Sequence, residues 1–154
     1  GATVLELGMG EGKDVALLSQ HFQVTGSDAS SVFVQRYLQR HPNADVLALD
    51  AVSIDTERQF HALYSNKVLH QLSPEQLTVS FQQQHTRLLS NGLILHSFWL
   101  GTGSEEFAGD RTYYYQPAAI TELMAPLFKV LSIETYTETD TEDSFFVLGQ
   151  AIKN

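Results

Sequence analysis

Short apolar runs alternate along the chain with longer stretches in which apolar positions recur every three or four residues. "TVLEL" (Thr3 to Leu7) is the first such run; it has the character of a buried strand and is stopped by Gly8. From Lys13, the positions Val15, Leu17, Leu18 and Phe22 fall at near-helical spacing, which predicts a helix ending around His21. "FQVTGSD" predicts a second strand ending at Asp28, and "VFVQRYLQRH" a second helix, capped by Ser30 or Ser31 and closed by His41-Pro42. "ADVLALD" and "FHALYSN" read as strands three and four. Ser73-Pro74-Glu75 supplies a cap, a first-turn proline and a first-turn acid, so a helix runs from there to about Leu89 and ends at Asn91-Gly92. "LILHSFWL" is a fifth strand, Gly101 to Gln116 a polar loop, and Pro117 to Leu127 a last helix, before two β-rich runs, "VLSIETYTE" and "SFFVLGQAI".

Those two final runs are joined by "TDTED", too short for a crossover helix, so they form an antiparallel hairpin. Everything before them alternates strand and helix, which predicts an α/β fold around a parallel sheet. With 154 residues, no repeats and no low-complexity linker, one domain spanning residues 1–154 is expected.

The chemistry concentrates at the first strand-to-helix turn. "VLELGMGEG" places Gly8, Gly10 and Gly12 on alternate positions directly after the strand, where the amide end of a helix faces the crevice at the strand's carboxyl edge. The dinucleotide fingerprint G-x-G-x-x-G is not met, because Lys13 stands where its third glycine would fall. Glu6 and Glu11 flank the loop, a poor setting for a pyrophosphate and a better one for a ligand with a cationic head. Asp28 is placed to accept both hydroxyls of a ribose, although a helix N-cap accounts for its position equally well. Asp50 ends the third strand, where a carboxylate can accept from an exocyclic amine such as that of adenine, or cap a turn.

Composition narrows the partners. Eighteen acids against nine lysines and arginines give a formal charge of -9 with no basic cluster, which argues against nucleic acid and anionic membrane surfaces. No apolar stretch approaches the roughly 18 residues of a membrane span, and a cytoplasmic location is expected. There is no cysteine, and the six histidines show neither H-x-x-x-H nor H-E-x-x-H spacing, so no metal site is expected. Tyr113, Tyr114 and Tyr115 are candidates for a substrate wall, although three consecutive side chains cannot all face inward. The acidic "TETDTED" reads as a solvated hairpin tip.

In order and spacing, "VLELGMGEG", "GSDAS", "LALDAV", "LYSNKVLHQLS", "NGLILHSFW" and the final hairpin resemble the successive motifs of class I S-adenosylmethionine-dependent methyltransferases over nearly the whole chain. The resemblance implies a Rossmann-like, doubly wound, seven-stranded and mostly parallel sheet with S-adenosyl-L-methionine as cofactor. It assigns Glu6, Gly8, Gly10 and Gly12 to the methionine part, Asp28 with Ala29 to the ribose, and Asp50 with Ala51 to adenine. Ser65, Asn66 and Lys67 fall to the methyl end. "SNKVLHQL" is similar to the S-N-x-x-L-H-H-L of many small-molecule methyltransferases, with Gln71 replacing the second histidine; His70 and His96 are the candidates for taking a proton from the acceptor, the alternatives being a core or surface histidine for His70 and an ordinary buried polar residue with a backbone partner for His96. The family's usual helices before the first strand find no counterpart in Gly1 and Ala2, so part of the sheet is expected to lack cover, with either a homodimer or an unusually open crevice as the consequence. A small-molecule methyl acceptor is the expected partner. The competing readings are a non-catalytic S-adenosylmethionine-binding domain or subunit and a nicotinamide-dependent oxidoreductase.

Overall fold

A computed structural model describes residues 1–153. Strands β1 (Thr3–Glu6), β2 (Gln23–Asp28), β3 (Val46–Ala48), β4 (Phe60–Asn66) and β5 (Leu88–Trp99) alternate with helices α1 (Lys13–Leu18), α2 (Ser31–Arg40) and α3 (Pro74–Thr86). A small hairpin of β6 (Ser104–Phe107) and β7 (Asp110–Tyr113) precedes α4 (Pro117–Met124), and β8 (Phe128–Thr137) and β9 (Glu142–Ala151) end the fold. The main sheet has seven strands in the order β3-β2-β1-β4-β5-β9-β8, with β9 antiparallel to its neighbours β5 and β8 and the other pairs parallel. Strand order reverses between β1 and β4, so the crevice for a ligand opens at the carboxyl ends of those strands.

Alternation along the strands divides the apolar residues between two faces. On one face, Leu5, Leu63, Ile94, Phe98, Phe145 and Val147 form a core with Leu77 and Phe81 of α3 and Ile120 and Met124 of α4. On the other, Met9, Val15, Val34 and Tyr37 join α1 and α2 to the β1–β3 half of the sheet. This second face is not covered across its whole width. Leu93 and Leu95 of β5 are each 36% exposed, and with Val4, Phe22 and Leu148 they line an apolar depression of about 250 Å³.

Local chemistry moves several boundaries. Ser30 caps α2 by accepting from the Phe33 amide at 3.3 Å, and Ser73 and Gln76 close α3 with a reciprocal capping box. The first helix stops at Leu18 and turns continue to Phe22; the last stops at Met124, ahead of Leu127. The expectation that α3 runs to about Leu89 and ends at Asn91-Gly92 is corrected. Arg87 closes the helix, its carbonyl accepts from the Phe60 amide at 2.8 Å, and the fully buried Leu88 is already paired in β5. Asn91, at φ 61°, instead belongs to an irregularity within β5, where the pairing jumps from Phe60–Leu88 to Ala62–Leu93. Burial of Leu88 outweighs the turn preference of Asn-Gly. The loop from Gly101 to Gln116 holds the β6–β7 hairpin, turned by Ala108 and Gly109 at φ 53° and 88°.

Candidate functional site

The glycine turn is fastened to both neighbouring strands: the Leu7 amide donates to the Tyr64 carbonyl at 2.9 Å and the Met9 amide to that of Ser27 at 2.8 Å. Gly8, Gly10 and Gly12 all have positive φ, at 65°, 55° and 85°. A Cβ on Gly8 would lie 2.6 Å from the Val68 methyls and one on Gly12 would lie 2.2 Å from the Tyr37 ring, whereas one on Gly10 would meet nothing within 4 Å. Two of the glycines therefore serve close packing, and Gly10 faces the open crevice. Its amide donates to Asp28 Oδ2 at 2.9 Å, while Asp28 Oδ1 accepts from Ser30 at 2.8 Å. Asp28 thus ties the turn to the end of β2, and the cap of α2 is Ser30. Ala29 follows directly and is exposed.

Beneath the turn lies Glu6, 3% exposed, with Oε1 buried and lacking a partner among the described residues. Burial, with smaller contributions from the charges of Asp14 and Asp28, pushes its carboxyl up to about 8. Tyr64, beside it on β4, donates its hydroxyl to Asp14 Oδ2 at 2.8 Å, and burial followed by this bond pushes its phenol up as well. At the next strand end, Asp50 Oδ1 accepts from the amides of Val52 at 2.7 Å and Ser53 at 3.2 Å, and the Ala51 carbonyl accepts from Ser80 Oγ at 2.6 Å.

The end of β4 carries the third group of candidates. Ser65 Oγ lies 2.6 Å from His96 Nδ1, and His96 Nε2 lies 2.7 Å from Gln84 Oε1. His96 is fully buried, and desolvation pushes it down to about 3. Both ring nitrogens are thus occupied by partners within the protein. Asn66 Oδ1 accepts from Ser97 Oγ at 2.6 Å, and Ser97 Oγ accepts from the Lys67 amide at 2.9 Å. The Lys67 ammonium sits 3.4 Å from the centroid of the Trp99 ring, donates to Ser144 at 2.8 Å and pairs with Glu138 at 3.1 Å. Its charge is thereby neutralised at the hairpin, and Glu138 belongs to the acidic stretch read from sequence as merely solvated. His70 lies on the 3₁₀ turn Leu69–Gln71. Its Nδ1 is buried without a partner among the described residues, and desolvation, then the Lys67 charge, shifts the ring below its ordinary range. Tyr115 is a packing residue: it is 5% exposed, stacks edge-on against Phe98 and donates to the Leu72 carbonyl at 2.6 Å.

Beside these groups, at the carboxyl ends of β4 and β5, is a cavity of about 250 Å³ lined in part by Tyr64, Asn66, Leu95, Ser97, Tyr136 and Phe146. Among the described residues, no cluster of histidine and carboxylate side chains has a metal-holding arrangement, and no helix is long and apolar enough to cross a membrane. Residues 4–92 match the family model described as a methyltransferase domain. The chain belongs to that family. The match takes in the glycine turn, Asp28, Asp50, the end of β4 and α3, so the crevice is the methyltransferase domain's own.

Solved structures share the fold. The 1,6-didemethyltoxoflavin-N1-methyltransferase of Burkholderia thailandensis, with its substrate and S-adenosylhomocysteine bound, is 21% identical, with a TM-score of 0.82 over 99% of this chain and 72% of that one. An S-adenosylmethionine-dependent methyltransferase from Mesorhizobium loti is 15% identical, with a TM-score of 0.81 over 97% and 91% of the two chains. The glycopeptide N-methyltransferase MtfA, complexed with S-adenosyl-L-methionine, is 14% identical, with a TM-score of 0.79 over 97% and 86%. No curated protein matches the sequence.

Asp14, Tyr64, Ser97, Trp99 and Tyr136 join the site only in three dimensions. Tyr64 lies within the quoted "LYSNKVLHQLS" and Ser97 and Trp99 within "NGLILHSFW", whereas Asp14 and Tyr136 fall outside the quoted motifs.

Proposed function

We propose that this methyltransferase domain binds S-adenosyl-L-methionine across the carboxyl ends of β1 to β4 and methylates a small-molecule acceptor. The observation that carries the reading is the pairing of an open Gly10, its amide fixed on Asp28, with a buried Glu6 oxygen that has no partner among the described residues. A ligand with a ribose and a cationic amine matches both features. Glu6 and the glycine turn would hold the methionine part, Asp28 with Ala29 the ribose, and Asp50 with the Ala51 backbone the adenine. Ser65, Asn66 and the Lys67 backbone would border the methyl end. When bound, the cofactor supplies a methyl group already activated by a positive sulfur.

The chain's own contribution is placement and exclusion of water. The cavity walled by Tyr64, Leu95, Tyr136 and Phe146 adjoins the end of β4, and at about 250 Å³ it suits a small acceptor. Asn66 and Ser97 bring polar atoms to its rim and are locked to each other at 2.6 Å. A neutral amine or thiolate acceptor needs no base. For a hydroxyl or ammonium acceptor, His70 is the candidate proton acceptor, because burial disfavours its charged form and its Nδ1 has no partner among the described residues. The net charge of -9 supports a small molecule over a polyanion.

Calorimetric titration with S-adenosylhomocysteine and with NAD, followed by incubation with S-adenosyl-L-methionine and fractionated metabolites, tests the proposal. Binding of the first ligand alone and a mass gain of one methyl in a metabolite are expected. Binding of NAD alone would favour hydride transfer. Cofactor binding with no methylated product would leave a non-catalytic binding domain.

A further inference from the structure

Four buried polar side chains run in one line from the end of β4, through β5 and α3, to the loop after β3. Ser65 Oγ is 2.6 Å from His96 Nδ1, His96 Nε2 is 2.7 Å from Gln84 Oε1, Gln84 Nε2 is 3.0 Å from Ser80 Oγ, and Ser80 Oγ is 2.6 Å from the Ala51 carbonyl oxygen. Ser65 is 1% exposed and the other three are fully buried. The direction of every bond follows from its last member. A carbonyl can only accept, so Ser80 directs its single hydroxyl hydrogen to Ala51. Ser80 must then accept from the Gln84 amide nitrogen, which turns the Gln84 oxygen toward His96. The imidazole proton therefore sits on Nε2, and Nδ1 accepts from Ser65. Reversing any one link leaves a buried donor or acceptor unmatched, which burial penalises heavily.

The line ends on a peptide unit that also belongs to Asp50. Ser80 holds the carbonyl side of the Ala51–Val52 peptide, and Asp50 Oδ1 holds its amide side at 2.7 Å. With Oδ1 further occupied by the Ser53 amide at 3.2 Å, Asp50 has Oδ2 left for a ligand. Four residues on, Ile54 is fully buried at φ 44°, a left-handed conformation that a β-branched residue adopts only when its surroundings force it. Its carbonyl is held by Arg87 Nε at 3.1 Å. Polar side chains are a costly way to join α3 to the sheet, since Phe81 of α3 meets Phe128 of β8 by packing alone, with ring centroids 6.0 Å apart. What the polar line supplies, and apolar packing does not, is a fixed orientation for the peptide on which Asp50 rests.

We propose that Ser80 and Gln84, backed by His96, are positioning residues that aim the free oxygen of Asp50 at the exocyclic amine of adenine and so set the base selectivity of the cofactor site. The proposal rests on the placement of Asp50 against adenine given above.

The test compares S-adenosylhomocysteine with S-inosylhomocysteine, in which a carbonyl oxygen replaces the exocyclic amine. Titrations are run on the wild-type chain, Ser80→Ala and Gln84→Met, with thermal melts to establish that each is folded. The wild type should prefer the adenine ligand by roughly ten- to a hundredfold, since the inosine ligand sets an acceptor against a carboxylate. In either variant the preference should shrink to within about threefold, mostly through loss of affinity for the adenine ligand. Should Ser80→Ala fail to fold, Gln84→Met, which nearly preserves the side-chain volume, is read instead. A purely structural role weakens both ligands alike and leaves the ratio intact, so a retained ratio in a folded variant overturns the proposal. A wild-type ratio near one, with S-adenosylhomocysteine still bound, would remove Asp50 from the adenine and overturn the placement beneath the proposal as well.

Discussion

Replacing Glu6 by glutamine keeps its shape and removes its proton. In the folded chain the carboxyl is pushed from 4.5 up to about 8, chiefly by burial. Between those values the folded state holds a proton that the unfolded state has released, so the contribution is greatest at low pH and is lost as pH rises through the window. The slope is about 1.4 kcal/mol per pH unit, or about 3 to 4 kcal/mol between pH 5 and pH 8. That is a large share of the roughly 5 to 15 kcal/mol that holds a domain folded. Urea denaturation of the wild type and Glu6→Gln at unit steps from pH 5 to pH 8 should show the variant gaining on the wild type at each step, with the difference levelling off above pH 8. Two curves that stay parallel would refute the reasoning. The same proton reports on the ligand: a cationic amine set against Glu6 lowers its pKa, so S-adenosylhomocysteine should bind the wild type up to about tenfold more tightly per pH unit approaching 8. Calorimetry in buffers of different ionisation enthalpy should find close to one proton released below pH 7 and none in Glu6→Gln. No release from the wild type would mean that the carboxyl meets no cation.

Asp28→Ala should weaken S-adenosylhomocysteine by about 1.5 to 3 kcal/mol, because it removes both the expected ribose acceptor and the clamp on the Gly10 amide; an unchanged dissociation constant would take Asp28 out of the site. Gly10→Val should abolish cofactor binding while circular dichroism stays native, since the new side chain enters open space and the left-handed backbone costs about 1 to 3 kcal/mol; wholesale unfolding would make the glycine structural. Lys67→Met removes a nearly buried ammonium from Trp99 and Glu138 and should cost about 1 to 3 kcal/mol in urea denaturation, with most of the loss persisting in 1 M salt because the ring contact is shielded; a loss of a few tenths would mean that the cluster is solvated. His70→Gln should lower turnover without changing cofactor affinity and should flatten the acid limb of the pH–rate profile; an unchanged profile would remove it as the proton acceptor.

The alternation of strand and helix was readable because each buried strand of the first half forms a compact apolar run and each turn carries its own punctuation: Gly8, the Ser30 cap, and Ser73 before Pro74. Where local preference and burial disagreed, burial prevailed, as when Leu88 drew Asn91 and Gly92 into β5. The glycine turn and the strand-end acids were legible for a related reason, since position at a strand's carboxyl end already determines what a residue can reach. Side-chain function away from those ends was not. His96 sits in an alternating strand, where the sequence fixes which face it takes but not whether its ring meets a ligand or a buried amide; that depended on Gln84, twelve residues earlier on α3. The surroundings of the Lys67 ammonium were hidden in the same way, because its partners Glu138 and Ser144 arrive with a hairpin more than seventy residues later. A motif therefore locates the backbone of this site, while the hydrogen-bond partner of each polar side chain decides its task. Gln84 shows how far the two can diverge: one glutamine in the run "FQQQH" has no distinguishing sequence feature, yet it alone has its amide between His96 and Ser80 and thereby links the two ends of the crevice.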